Sequence, residues 1–244
     1  MQRYFIDDLI INNNEIIIPS SNSDYHHITN VMRMKKGDQI YICNNKQTYL
    51  VEINNINKNE INLLILKKLN EDKCLPYEVC IAQGLVRKEK MEEVIDGICQ
   101  MGASSYIGVE MERSLVKLDR YNNEKMIRMR KISKEASEQS HRNTKMEILD
   151  FLSMKDFLKF SKNYDLCLYA YERSTKDESL KNLLKTLNYQ KILVLIGPEG
   201  GFSENEVKIL NDNSFHAITL GSRILRTEMA PIFVMASLVY EWEL

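Results

Sequence analysis

The sequence predicts an α/β protein in which a small β-barrel precedes a parallel sheet covered by helices. Short apolar or alternating runs, separated by Asn, Asp and Gly, fill most of the first 70 residues, as is typical of a small barrel. From about residue 76, strand-like and helix-like segments alternate, which indicates a parallel sheet. The runs at 166–171 and 192–196 are continuously apolar, as expected of strands buried on both faces.

Four strands and one helix are predicted in the N-terminal part of the chain. The strands lie at residues 15–18, 39–43, 49–56 and 60–69. The helix covers residues 24–32, and Asp24 is suited to cap its first turn. The composition changes near residues 70–76, which predicts a barrel domain at residues 1–72 and an α/β domain at residues 73–244.

Strands and helices alternate in the C-terminal part. Besides the two buried runs, strands are predicted at residues 79–85, 106–109 and 217–220. Helices are predicted at residues 88–101 and 122–142, and a capping box at Ser203 and Glu206 opens a third. A final helix holds Pro231 in its first turn, where proline is tolerated.

Charge and cysteine usage limit the classes of function. The net charge is -1, but residues 113–145 carry ten Lys or Arg and four Asp or Glu, so a local basic surface is available for RNA. Five cysteines show no metal-binding spacing, which indicates free thiols in a reducing cytoplasm and no metal site. No signal-peptide pattern opens the chain, and the apolar stretch at residues 230–240 is too short to span a membrane.

Two glycine-containing segments follow predicted strands. Residues 197–201 read Gly-Pro-Glu-Gly-Gly, and three glycines let a backbone approach a ligand closely. Residues 220–228 read Leu-Gly-Ser-Arg-Ile-Leu-Arg-Thr-Glu, where two arginines and a carboxylate flank an apolar pair. Taken separately, the first is also compatible with a simple strand-to-helix turn and the second with a solvated surface ion pair.

Together these segments resemble the knot motifs of the SPOUT methyltransferases, specifically the 16S ribosomal RNA (uracil-N3) methyltransferase family (RsmE). The resemblance extends over essentially the whole chain. Further matching motifs include Arg-Tyr-Phe at residues 3–5, Lys88, Lys90 and Glu92 on the first helix of the α/β part, and Glu-Ala-x-x-Gln-x-x-Arg at residues 135–142. Met229 departs from the pattern, because the family usually has Thr there.

The resemblance implies a fold, a cofactor and partners. The expected fold is a PUA-like barrel that holds RNA, followed by a SPOUT domain whose last segment threads a trefoil knot. The expected cofactor is S-adenosyl-L-methionine, and the expected substrate is 16S rRNA, which the enzyme is expected to meet within the small ribosomal subunit. The family also implies a homodimer. The side chains suitable for that contact lie on the final apolar helix and are Ile232, Val234, Met235, Leu238 and Trp242, although the same pattern equally fits an ordinary core helix.

The resemblance also implies roles for individual residues. Arg226 and Glu228 are the expected catalytic pair: Arg226 stabilises charge on the uracil oxygens, and Glu228 accepts the proton or orients Arg226. The expected cofactor-binding residues are Leu195, Gly197, Gly201, Leu220, Gly221, Ile224, Leu225 and Thr227. The expected RNA-binding residues are Arg3, Arg33, Arg113, Gln139 and Arg142, the last two on one helix face; as a pattern alone, this basic helix is more typical of a solvated surface.

Two other functions remain open from sequence. A SPOUT ribose 2′-O-methyltransferase acting on tRNA or rRNA is disfavoured, because those relatives usually carry a Ser-Leu-Asn-Val-Ser-like segment where residues 225–228 read Leu-Arg-Thr-Glu. A non-catalytic RNA-binding protein is disfavoured by the intact motifs at residues 197–201 and 226–228. Cofactor binding would separate an enzyme from a pure binding module.

Overall fold

The computed structural model describes residues 1–7, 9–12, 14–44, 47–174, 180 and 190–244. Within these residues the chain forms two compact units. The first unit comprises Met1–Cys74 with Ser137–Lys145, and the second comprises Leu75–Ala136 with Met146–Leu244. None of the described helices combines the length and the apolar character needed to cross a bilayer.

The first unit contains a six-stranded sheet. Its strands are β1 (Arg3–Phe5), β2 (Ile10–Asn12), β3 (Glu15–Pro19), β4 (Gln39–Asn44), β5 (Gln47–Ile56) and β6 (Glu60–Leu69). They pair in the order β1-β4-β5-β6-β3-β2, and only β1 and β4 run parallel. The four predicted strands are confirmed, whereas β1 and β2 are too short to leave an alternating pattern.

Alternating side chains of this sheet form the core of the first unit. Ile16 and Ile18 of β3 are fully buried, as are Ile40 and Ile42 of β4. Residues two apart in a strand face the same side, so each strand supplies a row of apolar side chains. The alternation read from the sequence therefore locates this core correctly.

The predicted helix at residues 24–32 is present, but most of it is π-helical and its cap differs from the predicted one. It consists of α1 (Ser23–His26), followed by a π-helical turn at His27–Val31. The side chain of Asn22, and not that of Asp24, accepts the hydrogen bond from the first turn, at 2.8 Å from the Asp24 nitrogen. Asp24 lies inside the helix, so the capping prediction was wrong by two positions.

The second unit contains a parallel sheet of seven strands. They are β7 (Glu78–Gly84), β8 (Ser105–Glu110), β9 (Glu147–Ile148), β10 (Leu152–Ser153), β11 (Leu166–Ala170), β12 (Lys191–Ile196) and β13 (Phe215–Ile218). The pairing order is β10-β8-β7-β12-β11-β13, and β9 also pairs with β8. Every recorded pair is parallel, which confirms the α/β prediction.

In the described ranges of the second unit, five α-helices with defined ends accompany this sheet. They are α2 (Lys88–Gln100), α3 (Asn123–Gln139), α4 (Met154–Phe160), α5 (Glu204–Asp212) and α6 (Met229–Glu243). The predicted capping box is present at α5, where Ser203 and Glu206 bond reciprocally. Only α4 was not predicted; it is two turns long, and its N-cap is Ser153.

Strand β12 shows why its sequence is continuously apolar. Ile192, Val194 and Ile196 belong to one core cluster, and Leu193 and Leu195 belong to another. Successive side chains of a strand point to opposite faces, so a strand covered on both sides needs apolar residues at every position. The central strand thus ends at residue 196 between two packed layers, and the chain leaves it directly into residues 197–201.

Helix α3 ends three residues earlier than predicted. His141 has a left-handed backbone with φ of 58°, and its N–H donates to the Glu138 carbonyl at 3.2 Å. The N–H of Arg142 donates to the Ser137 carbonyl at 3.0 Å. These two bonds form a Schellman cap, which stops the helix, so Gln139 and Arg142 do not share a helix face.

The final helix α6 packs largely as a core helix. Val234, Met235 and Leu238 are buried in the larger core cluster, and Ile232 and Trp242 pack against it. These side chains were predicted to form a subunit contact. Within one chain they pack in the core or against it. Different apolar side chains of this helix are exposed, namely Met229, Phe233 and Tyr240.

Candidate active site

A cavity lies in the second unit beyond the carboxyl ends of its central strands. It has a volume of about 560 Å³. Its walls come mainly from three segments, residues 170–172 at the end of β11, residues 196–202 at the end of β12 and residues 219–228 after β13. Sites for small molecules in proteins typically measure roughly 300–1,000 Å³, and open α/β sheets bind ligands at this end of their strands.

The two motif segments are joined by a buried hydrogen bond. The Thr227 hydroxyl donates to the Gly197 carbonyl at 2.7 Å, and Thr227 is 8% exposed. The Gln83 side-chain nitrogen donates to the Thr227 carbonyl at 2.8 Å and lies 3.0 Å from its hydroxyl oxygen. The Gln83 oxygen in turn accepts a hydrogen bond from the Tyr106 hydroxyl at 2.8 Å.

This network aligns two loops that are far apart in sequence. Burial raises the pKa of Tyr106 well above its ordinary value, so its hydroxyl remains a donor at any physiological pH. Gln83 and Tyr106 are fully buried, and a buried polar group left without a partner costs about 1–3 kcal/mol. The complete chain of bonds therefore favours one relative placement of Gly197 and Thr227.

Two glycines shape the same wall, Gly84 by close packing and Gly201 by its backbone conformation. A Cβ at Gly84, the last residue of β7, would lie 2.6 Å from the Pro198 backbone nitrogen, so no larger residue fits without moving the loop. Gly201 has φ of 66°, a left-handed conformation that side chains disfavour. The backbone of residues 197–201 can therefore turn sharply and expose its polar groups to the cavity.

Three charged side chains meet on one side of the cavity. The Lys90 ammonium, on the first turn of α2, lies 3.3 Å from a Glu199 oxygen and 3.4 Å from the Glu228 oxygen Oε2. Partial burial opposes the charged form of Lys90, but the attraction of the Glu199 and Glu228 carboxylates outweighs it and raises the pKa of Lys90. Lys90 thus stays an ammonium at neutral pH.

The predicted catalytic pair lines this cavity. Arg226 is exposed, and its backbone carbonyl accepts the first hydrogen bonds of α6, from Met229 at 2.9 Å and from Ala230 at 3.0 Å. The Glu228 side chain is 12% exposed. The arrangement combines a solvent-accessible cation with a mostly buried carboxylate, which suits charge stabilisation and proton acceptance.

Seven of the eight predicted cofactor residues line the cavity. They are Gly197, Gly201, Leu220, Gly221, Ile224, Leu225 and Thr227. Leu195 does not line it; its side chain is fully buried in the smaller core cluster of the second unit, and Ile196 lines the cavity instead. Contact between any of these residues and a cofactor remains a prediction.

The first unit buries two of the predicted RNA-binding arginines. The Arg3 side chain is 1% exposed; it donates to the Arg142 carbonyl at 2.8 Å and forms an ion pair with Glu71 at 2.8 Å. Arg142 is 6% exposed, and its guanidinium donates to the Thr144 carbonyl at 3.1 Å. Such burial argues against a phosphate contact and indicates that both arginines stabilise the unit.

The remaining predicted RNA-binding side chains are exposed. Arg33 and Gln139 belong to the first unit, and Arg33 has a left-handed backbone with φ of 52°. Arg113 belongs to the second unit, where its guanidinium donates to the Gly200 carbonyl at 3.1 Å. An RNA contact by these three residues stays a prediction.

The basic surface of α3 is partly neutralised. Arg128 forms a bidentate pair with Glu92, at 2.5 and 2.8 Å. Arg130 pairs with Asp150 at 3.0 Å, and Lys131 lies 3.7 Å from Glu135. The net charge of this stretch therefore overstates the positive charge that α3 presents to a phosphate backbone.

Sequence reasoning missed several residues of the site. Gln83 and Tyr106 lie in strands whose pattern indicates only burial, so no local signal marks them as polar partners of Thr227. Lys90 was recognised as part of a motif but received no role. Glu172 lines the cavity from a segment without a motif.

Comparisons with known proteins agree with this architecture. Two family models match the chain, an RNA methyltransferase domain at residues 73–239 and an RNA methyltransferase PUA domain at residues 21–66. Ribosomal RNA small subunit methyltransferase E of Bacillus subtilis (strain 168) is 35% identical over 254 residues, covering 100% of this chain and 98% of that protein. The chain belongs to this methyltransferase family.

Solved structures support the same family fold. A crystal structure described as that of a hypothetical protein has a TM-score of 0.90 and 35% identity, with 99% of each chain covered. Ribosomal RNA small subunit methyltransferase E from Neisseria gonorrhoeae, bound to S-adenosyl methionine, has a TM-score of 0.84 and 23% identity, covering 99% of this chain and 98% of that one. The family and fold class inferred from the motifs are confirmed; the knot stays a prediction.

Proposed function

We propose that this chain transfers a methyl group from S-adenosyl-L-methionine to N3 of a uridine in 16S rRNA. One observation carries the proposal: a single cavity is lined by both motif segments and by the Arg226–Glu228 pair. The Bacillus subtilis relative is named as a methyltransferase of small-subunit ribosomal RNA. The N3 position follows from the motif resemblance described above.

The cavity suits the proposed cofactor. Leu220 and Leu225 offer apolar surface, and the glycine-containing loop offers backbone groups. The carboxylates of Glu172, Glu199 and Glu228 line the same space and favour a sulfonium cation over a neutral thioether. The Neisseria gonorrhoeae protein was solved with S-adenosyl methionine bound.

The chain's own residues would prepare the uracil. Its N3 carries a proton and is a poor nucleophile until that proton is removed. The Glu228 carboxylate accepts the N3 proton, and the negative charge that spreads to the uracil oxygens is stabilised by the Arg226 guanidinium. When bound, S-adenosyl-L-methionine supplies an activated methyl group, and as N3 takes it the C–S bond breaks with its electron pair remaining on sulfur.

The partners follow from the same assignment. The substrate is ribosomal RNA, taken within the small ribosomal subunit in the cytoplasm, with Arg33, Arg113 and Gln139 as contacts. The chain acts as a homodimer, and exposed Phe233 and Tyr240 of α6 supply apolar surface for the contact. A single-chain mass in light scattering would contradict the dimer.

Nucleoside mass spectrometry of 16S rRNA tests the reaction. Cells that lack the gene should lose 3-methyluridine, and a restored copy should return it. Purified protein should then methylate small subunits from the deletion strain in the presence of S-adenosyl-L-methionine. Unchanged 3-methyluridine with loss of a ribose-methylated nucleoside would identify a 2′-O-methyltransferase, and no change in either would leave the RNA-binding alternative.

A further inference from the structure

Lys90 contacts Glu199 and Glu228, but the methyl transfer proposed above gives Lys90 no role. Lys90 is on α2, Glu199 follows β12, and Glu228 directly precedes α6. One ammonium therefore connects three elements that converge only in the folded second unit. Its side chain is 34% exposed, whereas those of Glu199 and Glu228 are 22% and 12% exposed.

We propose that Lys90 is a positioning residue for methyl transfer, which holds the Glu228 carboxylate charged and aimed into the cavity by sharing its ammonium between Glu228 and Glu199. This inference rests on the proposed function, in which Glu228 accepts the N3 proton. Lys90 acts through Glu228 and does not itself contact the reacting atoms.

The surroundings of Glu228 explain why its charge depends on Lys90. Oxygen Oε2 of Glu228 is buried, and within the part of the chain that the structure describes it has no aligned hydrogen-bond donor. The Lys90 ammonium at 3.4 Å is close enough for strong attraction but poorly directed for a hydrogen bond. A buried carboxylate without such a cation would take up a proton more readily and lose its ability to accept one from uracil.

Glu199 modulates the same cluster. It competes with Glu228 for the one ammonium and places a second negative charge beside it. A like charge at this range favours protonation of one carboxyl group, whereas an opposite charge disfavours it. Removing Lys90 and removing Glu199 should therefore shift the titration of Glu228 in opposite directions.

Other charged groups border the cavity and contribute to its field. The remaining titratable side chains in its lining are Tyr171, Glu172, Arg223 and Arg226. Glu199 also interacts with Tyr121, as does Glu89 of α2, and burial with these charges raises the pKa of Tyr121 to about 12. Tyr121 is therefore neutral in the pH range of the test.

Carboxyl-carbon NMR of the complete, cofactor-free protein tests the electrostatic part directly. The Glu228 signal is assigned by its loss in Glu228→Gln. In Lys90→Met it should titrate at a higher pH than in wild type, and in Glu199→Gln it should titrate at a lower pH. Lys159→Met, which removes an exposed lysine paired with Asp156 on α4, should leave it unchanged.

Kinetics on small ribosomal subunits test the consequence for catalysis. Lys90→Met should lower kcat by about 10- to 100-fold and move the acid limb of its pH profile upward. The KM for the subunit and the Kd for S-adenosyl-L-methionine should change by less than about threefold. Lys90→Arg keeps the charge and should restore most of the kcat.

Three results would overturn the role of Lys90. An unchanged Glu228 titration in both Lys90→Met and Glu199→Gln excludes the electrostatic link. A rise in KM alone would make Lys90 an RNA contact, and a loss of thermal stability with an unshifted pH profile would make it purely structural. Failure of wild-type protein to form 3-methyluridine would reject the proposed function instead, and the NMR titration would still decide the charge coupling.

Discussion

Thr227 illustrates how single residues define this site. The motif resemblance assigns it to cofactor binding, but its hydroxyl is used within the protein, as a donor to Gly197. The Gln83 side-chain nitrogen donates to the Thr227 carbonyl, so both the hydroxyl and the carbonyl of Thr227 help to align the two loops. Its importance therefore lies in preorganising the cavity wall, and donation from its hydroxyl to a cofactor would require breaking a buried hydrogen bond.

Arg226 is the residue whose loss should affect chemistry most selectively. Arg226→Ala removes the cation that we propose stabilises charge on the uracil oxygens, so kcat should fall by about 10²–10³-fold, as when a transition-state hydrogen-bond donor is lost. The Kd for S-adenosyl-L-methionine should stay within about threefold of wild type, because the motif resemblance implies that the cofactor is held largely by backbone groups. Single-turnover methyl transfer and calorimetric titration measure the two quantities, with Lys159→Ala as control. Normal turnover in Arg226→Ala would remove Arg226 from the mechanism.

Glu71 should make the stability of the first unit sensitive to acid. Burial opposes its charged form, but hydrogen bonds and attraction to Lys73 and Arg3 outweigh burial and lower the pKa of Glu71. A carboxyl group whose pKa falls on folding stabilises the folded state above its ordinary value of about 4.3, and this contribution disappears as pH falls through the lowered value. The folded state should therefore lose stability below about pH 4.

Substituting Glu71 tests this ion pair. Glu71→Gln should lower the free energy of unfolding at pH 7 by about 1.5–3 kcal/mol, the range for hydrogen bonds to charged groups, and flatten its pH dependence in acid. Denaturant titrations at several pH values measure both effects. Exposed Glu147 supplies the control variant Glu147→Gln, which should leave the acid dependence as in wild type. An unchanged acid limb in Glu71→Gln would contradict the assignment.

At the level of elements, helix ends decide where functional loops begin. The capping box at Ser203 follows immediately after the glycine-containing loop, and Glu206 also accepts a hydrogen bond from the Glu112 backbone at 2.8 Å. The start of α5 thus fixes the C-terminal end of the loop at residues 197–202. Capping boxes have a local sequence signature, which is why this helix start was predictable.

Two N-cap substitutions distinguish anchoring of the glycine-containing loop from a general effect on the stability of the protein. Ser203→Ala and Ser153→Ala each remove a serine N-cap, at α5 and α4 respectively, and each should lower the free energy of unfolding by about 1 kcal/mol. Only Ser203→Ala should weaken the binding of S-adenosyl-L-methionine, by about threefold to tenfold, because a freer loop must be ordered on binding. Equal cofactor affinity in the two variants would show that the cap does not hold the loop.

Helix α3 shows the limit of pattern reading at this scale. Its amphipathic pattern continues past Gln139, but the left-handed His141 ends it. A non-glycine residue in this conformation leaves no compositional signal, since glycine is the usual marker of such a cap. The segment Ser137–Lys145 then belongs to the first unit, a membership that contacts distant in sequence decide.

For the whole molecule, ligand binding should stabilise the second unit. A ligand that binds only the folded state at 100 times its Kd adds about 2.7 kcal/mol, which corresponds to a rise in Tm of about 5–10 °C for a unit of this size. S-adenosylhomocysteine, the expected product, should give this shift in thermal unfolding. ATP, which shares only the adenosine part, should give a much smaller one. No shift at saturating S-adenosylhomocysteine would count against the cofactor assignment.

The sequence by itself determined the α/β architecture, the β-rich N-terminal part and the two motif segments of the cavity. These features depend on local periodicity, on glycine and on short motifs, all of which are readable along the chain. Only the tertiary structure decided that Lys90 meets Glu199 and Glu228, that Gln83 holds Thr227, and that Arg3 and Arg142 are buried. The physical reason is that hydrogen bonds, burial and charge pairing depend on neighbours in space, and strand pairing in a parallel sheet brings together residues that no local pattern relates.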